Sequence, residues 1–293
     1  MKRLNRGKNI RTVLLLAACC ALAPAVFAQA TITIDVDKPG HAVSPMLWGI
    51  FFEEINLAGD GGLYAEMVRN RSFEESGNTN NWQFIASGTA SGSLSADSSL
   101  PLNASNQAAA KLIFSSGSGT VGLANNGWWG MNFQAGQTYD LSFYARCPAG
   151  FTNALTTRLE NANGSVIYAQ AGTNNLATGW QRFTLSLVPN TSDPTGRLSL
   201  TMSQTGTVWL DVVSLFPRQT FHSRTNGLRP DLANMLVNLQ PSFMRFPGGC
   251  YVEGDYLTNA FRWKNSIGDI AARPGHWNAI WGYYSTDGLG YHE

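Results

Sequence analysis

The chain has 293 residues, only 13% of them charged, and its formal balance of +1 becomes −4 when the five amino-terminal positives Lys2, Arg3, Arg6, Lys8 and Arg11 are set aside. A surface so poor in cations argues against a nucleic-acid partner. The abundance of Gly, Asn, Ser and Thr suits a β-rich chain with many turns better than a helical one.

Those five positives precede an apolar run from Val13 to Phe27, and Ala28 and Ala30 offer small-residue cleavage sites. Residues 1–28 therefore read as a secretory signal peptide, too short and wrongly flanked for a membrane span. Leu16-Ala17-Ala18-Cys19 also fits a lipoprotein-processing box, but the strongly apolar residues after Cys19 argue against it. No other stretch is apolar enough to cross a bilayer. The expectation is an exported protein, periplasmic or extracellular. Cys147 and Cys250 remain after processing, and two free thiols are expected rather than a bridge.

Three blocks follow the signal. Residues 31–79 open with the alternating Thr31-Ile-Thr-Ile-Asp-Val-Asp37, which predicts a strand. Next, Leu47-Trp-Gly-Ile-Phe-Phe52 is apolar at nearly every position, as in a parallel strand buried on both faces. Leu63, Met67 and Asn70 then fall at helical spacing. Residues 80–217 carry alternating segments between Gly, Asn and Ser turns, among them Ala109–Phe114, Tyr139–Arg146, Gln181–Leu187, Arg197–Met202 and Val208–Phe216. They predict a β-sandwich or jelly roll. In residues 218–293, Pro230 sits where a helix would start, with Leu232, Met235, Leu236 and Leu239 on one face and Pro241 as the stop. Phe243–Phe246 then reads as a short strand.

The fold class is thus α/β plus β, a (β/α)8 barrel start interrupted by an inserted sandwich. The two barrel-like blocks fall well short of the roughly 250 residues such a barrel needs, so the barrel is expected to be incomplete.

The first chemistry to weigh is that of carboxylates. Glycoside hydrolysis usually needs two carboxyl groups. Glu53 and Glu54 end the first apolar strand, but strand neighbours point to opposite faces and cannot converge on one bond. At most Glu53 faces a pocket at the strand's carboxyl end. A pairing of Glu53 with Glu253 or Asp255 is the self-contained alternative. Arg245-Phe-Pro-Gly-Gly-Cys250 is a strand that turns sharply, its two glycines allowing backbone to approach a ligand. No base is paired in sequence with Cys250, so thiol catalysis is not expected. Trp277 and Trp281 either border the sugar or lie buried.

The patterns Gly49-x-Phe51-x-Glu53, Arg71-Ser-Phe-Glu74 and Arg245–Cys250 resemble the opening of the α-L-arabinofuranosidases of glycoside hydrolase family 51. The resemblance implies a retaining enzyme without a cofactor that removes terminal non-reducing α-L-arabinofuranosyl residues from arabinan or arabinoxylan, plant polysaccharides that would be its partners. It implies substrate-binding roles for Glu53, Arg245, Gly248, Gly249 and Cys250. Both catalytic glutamates of that family lie further along than residue 293. The resemblance therefore implies an amino-terminal fragment with no catalytic carboxylate of its own, inactive as written.

Gly127–Met131, Tyr139–Arg146 and Val208–Pro217 resemble carbohydrate-binding modules of the family 4/9 type, with Trp128 and Trp129 as candidate glycan contacts and Trp209 as core. Some such modules hold a structural calcium, for which Asp211 and Glu74 would be ligands. No calcium-loop spacing accompanies them, and no metal is assigned. The rival reading is a non-catalytic glycan-binding protein that works through the sandwich. Oligomeric state is not legible.

Overall fold

The computed structural model describes residues 30–75, 78–151 and 154–285. The signal peptide expected over residues 1–28 lies outside these. The chain divides into two units, 1–44 and 45–293.

In the first unit, residues 30–44 are exposed coil with one turn, closed by a 3.1 Å Asp35–Lys38 ion pair. The strand expected over 31–37 is not formed. Ile32, Ile34 and Val36 are all exposed, and no ladder pairs with them among the described residues. Alternation predicts a strand only where a second strand supplies the hydrogen bonds.

The first strand of the second unit is β1 (Ile50–Phe51). Eleven strands of the sandwich follow: β2 (Trp82–Ala86), β3 (Ser91–Asp97), β4 (Ala109–Ser116), β5 (Val121–Asn125), β6 (Met131–Phe133), β7 (Tyr139–Arg146), β8 (Leu155–Glu160), β9 (Ile167–Thr173), β10 (Gln181–Leu187), β11 (Asp193–Met202) and β12 (Gly206–Pro217). One sheet runs β10-β7-β12-β4-β3; the other runs β2-β5-β11-β8-β9, with β6 also on β11. Every pairing is antiparallel. Strand β7 shows the cause: Tyr139, Leu141, Phe143 and Ala145 point inward and are buried, and the residues between them face out. They join Leu112, Leu123, Phe133, Leu159 and Leu200 in one core between the sheets.

Strand β12 carries a bulge between Asp211 and Ser214, with Val212 at φ 45°. The bulge shifts the alternation by one residue, so Val208 and Leu210 before it and Val213 and Leu215 after it all enter the core. Trp209, expected in the core, instead lies half-buried on the opposite face. Its Nε1 donates to Asp97 Oδ2 (2.9 Å), and Lys111 and Arg146 sit over its ring.

Residues 64–73 are not the helix that Leu63, Met67 and Asn70 suggest. A kinked turn at Gly59–Leu63 precedes them, and their amides then bond outward: Ala65 N to Gly227 O, Met67 N to Leu215 O. The Glu66 carboxylate explains the diversion. It accepts from Val68 N (3.0 Å), Leu215 N (2.9 Å) and Ser214 Oγ (2.5 Å), with the Arg71 guanidinium 3.6 Å away, both side chains buried. Val213 N donates to Arg71 O. The segment is held against the bulged strand from both ends.

Helix α1 (Pro230–Asn238) matches its expectation, although Met235 and Leu239 on the expected apolar face are exposed. Strand β13 (Met244–Arg245) follows, then the one-turn helix α2 (Cys250–Glu253) and the hairpin β14 (His276–Asn278)–β15 (Tyr283–Ser285). Strands β1 and β13 pair in parallel, Ile50 with Met244 and Phe51 with Arg245, and flanking bonds extend the contact from Trp48 O to Glu54 N. Phe51 and Met244 are exposed rather than buried on both faces, because among the described residues these strands pair only with each other. Cys147 and Cys250 are free thiols.

Candidate functional site

The carboxyl ends of β1 and β13 place Glu53 beside Gly248 and Gly249. Gly248 has φ 132°, and a Cβ there would come within 2.4 Å of Glu53 Cγ. Only glycine lets the turn after Pro247 press against this side chain. Gly249 is close as well, 3.7 Å from a Cβ position to Glu53 Oε2. Glu53 Oε1 accepts from Tyr251 N (3.1 Å) at the start of α2 and from Trp281 Nε1 (3.2 Å) in the hairpin turn. Two segments distant from it in sequence, 248–251 and the hairpin turn, thus fix one half-buried carboxylate, and Trp281 remains 37% exposed beside it. Sequence reading left Trp281 open and missed the Tyr251 amide; a partner 228 residues away leaves no local signal.

Glu54 turns the other way. It is buried, its Oε2 accepts from Asp60 N (3.2 Å), and Tyr283 Oη lies 3.2 Å from its Oε1. Burial, and then the charge of Asp60, raise its pKa to about 8. Burial and then the Glu54 charge raise that of Tyr283. Asp60 is buried too, with Ser285 Oγ on its Oδ2 (3.1 Å). The two adjacent glutamates therefore part, and they do not form a catalytic pair. Glu253 and Asp255 are exposed.

Arg245 is exposed, its guanidinium 4.7 Å from the Phe51 ring. Cys250 opens α2, half-buried, its carbonyl accepting from Gly254 N. On the sandwich, Trp128 is half-buried and donates to Glu66 O (3.3 Å), whereas Trp129 is 68% exposed.

Glu74 and Asp211 come together. Asp211 is buried with Oδ2 lacking any hydrogen-bond partner, and burial followed by the charge of Glu74 raises its pKa well above the usual carboxylate range. Glu74 Oε1 accepts from Ala108 N (2.7 Å). No three His, Cys, Asp or Glu side chains cluster among the described residues.

Against this geometry stand the comparisons with known proteins. Residues 235–293 match the Alpha-L-arabinofuranosidase 1 domain, and residues 65–207 match a carbohydrate binding domain. Alpha-L-arabinofuranosidase 1 of Arabidopsis thaliana is 39% identical over 89% of this chain, and the extracellular exo-alpha-L-arabinofuranosidase of Streptomyces chartreusis is 36% identical over 96%. The arabinose-bound structure of MgGH51 α-L-arabinofuranosidase superposes with a TM-score of 0.81 at 35% identity over 87% of the chain. The chain is a homologue of the family 51 α-L-arabinofuranosidases. It spans 40% of the Arabidopsis relative and 42% of the MgGH51 chain. In this arabinofuranosidase homologue, the carbohydrate-binding match covers most of the sandwich and the arabinofuranosidase-domain match begins inside α1.

Proposed function

We propose that the chain forms the substrate-holding side of an exported, retaining α-L-arabinofuranosidase that releases terminal arabinofuranose from arabinan or arabinoxylan. The observation that carries this is the Glu53 carboxylate, fixed by Tyr251 N and Trp281 Nε1 against Gly248 and Gly249 in a homologue of such enzymes. A carboxylate accepts short, strong hydrogen bonds from vicinal sugar hydroxyls, and the exposed side of Trp281 offers an apolar wall. Glu53 binds rather than reacts, because its neighbour Glu54 is sealed behind Asp60 and Tyr283. The parallel β1–β13 pair is the start of a (β/α)8 barrel whose sites open at carboxyl strand ends. The domain limits are 31–79, 80–217 and 218–293, with the sandwich inserted. Arg245 and Cys250 line the same mouth. The catalytic acid/base and nucleophile lie outside the residues described. The extracellular Streptomyces relative supports export, and no helix among the described residues is long and apolar enough to cross a membrane.

The test is calorimetric titration of the chain with α-1,5-arabinobiose. Glu53→Gln and Gly248→Ala are each expected to weaken binding at least about tenfold, the loss of a charge-assisted hydrogen bond. Unchanged affinity in both variants would overturn the assignment.

A further inference from the structure

Trp281 reaches the Glu53 carboxylate from the turn of the β14–β15 hairpin. The two strands pair through three residues each and, among the described residues, with no other strand. A two-stranded ribbon of that length is not stable by itself in water, so its place depends on its anchors. The turn is set internally by Asn278. Its Oδ1 accepts from Ile280 N (3.0 Å) and Trp281 N (2.9 Å), and its carbonyl accepts from Gly282 N. Trp281 is thus fixed within the hairpin, and the open question is what fixes the hairpin to the end of β1.

Tyr283, two residues on, holds the tip. Its hydroxyl lies 2.7 Å from Glu54 O, 3.2 Å from Glu54 Oε1 and 3.4 Å from Leu57 N. The phenol has one proton, and the shortest contact gives it to the Glu54 carbonyl. Leu57 N donates to the phenol oxygen, so the Oε1 contact is a hydrogen bond only when the Glu54 carboxyl supplies a proton. Glu54 Oε2 accepts from Asp60 N, which leaves Oε1 as the protonated oxygen. Burial and the Asp60 charge, which raise the Glu54 pKa to about 8, favour that form. The titratable groups facing Glu54 are Asp60 and Tyr283, with Tyr251 across a cavity of about 20 Å³. At the hairpin base, Ser285 Oγ bonds Asp60 and the His276 ring packs on Tyr251. Trp281 and Tyr283 therefore grip consecutive residues of one strand end, the first by the Glu53 side chain and the second by the Glu54 backbone and carboxyl.

We propose that Tyr283, with the Glu54 carboxyl as its partner, is the positioning residue that sets the Trp281 indole on the Glu53 carboxylate. The proposal rests on the reading of Glu53 as the carboxylate that binds sugar. Tyr283 touches no sugar itself; it acts through Trp281. Loss of the Glu54 proton removes one bond of the grip and puts a second anion beside Asp60, so the hairpin tip loosens as pH rises through about 8.

The test uses the whole chain labelled with 5-fluorotryptophan, the Trp281 fluorine resonance being assigned by its loss in Trp281→Phe. At pH 6, Tyr283→Phe is expected to shift that resonance toward the position of a solvent-exposed indole and to weaken α-1,5-arabinobiose about tenfold. Glu54→Gln has an amide that donates to Tyr283 as the protonated acid does. It is expected to keep the wild-type resonance at pH 6 and to hold it at pH 9.5, where the wild type moves. A resonance unmoved in Tyr283→Phe, or moved with affinity unchanged, would overturn the proposal. So would equal pH responses in the wild type and Glu54→Gln, a comparison that decides even where Tyr283→Phe does not fold. A wild-type chain that shows these shifts but binds no arabinobiose would sink the Glu53 reading alone and support the placement of Trp281 by Tyr283.

Discussion

Glu53 and Glu54 are consecutive and chemically identical, yet the backbone sends them into opposite surroundings. Glu53 meets an amide, an indole N–H and two glycines, and stays half-buried. Glu54 meets Asp60 and a protein interior, which holds its pKa near 8. An unfolded Glu loses its proton near 4.5, the folded one near 8, so between these values the folded state binds more protons and stability falls as pH rises. The slope approaches about 1.4 kcal/mol per pH unit for this group. Glu54→Gln should flatten that part of the profile, leaving stability near wild type at pH 4 and raising it at pH 8. Urea unfolding at both values measures it; a parallel fall with pH in both proteins would contradict the assignment. Alternation on a strand sufficed to part the two glutamates. Tyr251, Tyr283 and Trp281, which fix them, were not legible as partners, because only the tertiary fold brings 250–285 to the end of β1.

At the scale of elements, strands were legible where large side chains alternate. Tyr139–Arg146 and Gln181–Leu187 occur as expected, since each presents bulky apolar residues to one face. Ser91–Asp97 and Ile167–Thr173 were missed: rich in Ser, Gly and Ala, they have little apolar periodicity and owe their conformation to the strands beside them. Two patterns misled, for opposite reasons. The 31–37 alternation has no partner ladder among the described residues. The 63–70 spacing is overridden by Glu66, whose carboxylate takes the amides of Val68 and Leu215 and ties the segment to β12. Removing it leaves those donors and Arg71 buried, so Glu66→Ala should destabilise by roughly 3–5 kcal/mol. A loss below 1 kcal/mol in chemical denaturation would mean that the segment is held by other contacts.

At the scale of the molecule, the chain joins a complete two-sheet sandwich to a short parallel pair. The sandwich has its own core between its sheets, whereas β1, β13 and α1 leave Phe51, Met244 and Met235 exposed. The β-sandwich was legible from the alternating segments between its turns. The surroundings of Glu53 and Trp128 were not, because each is completed by residues distant in sequence. The most direct measurement is a crystal structure of the chain soaked with α-1,5-arabinobiose. The account predicts a furanose ring whose hydroxyls lie within 3 Å or so of the Glu53 carboxylate, between Gly248–Gly249 and Trp281. A saturated crystal with that space empty of sugar would contradict it.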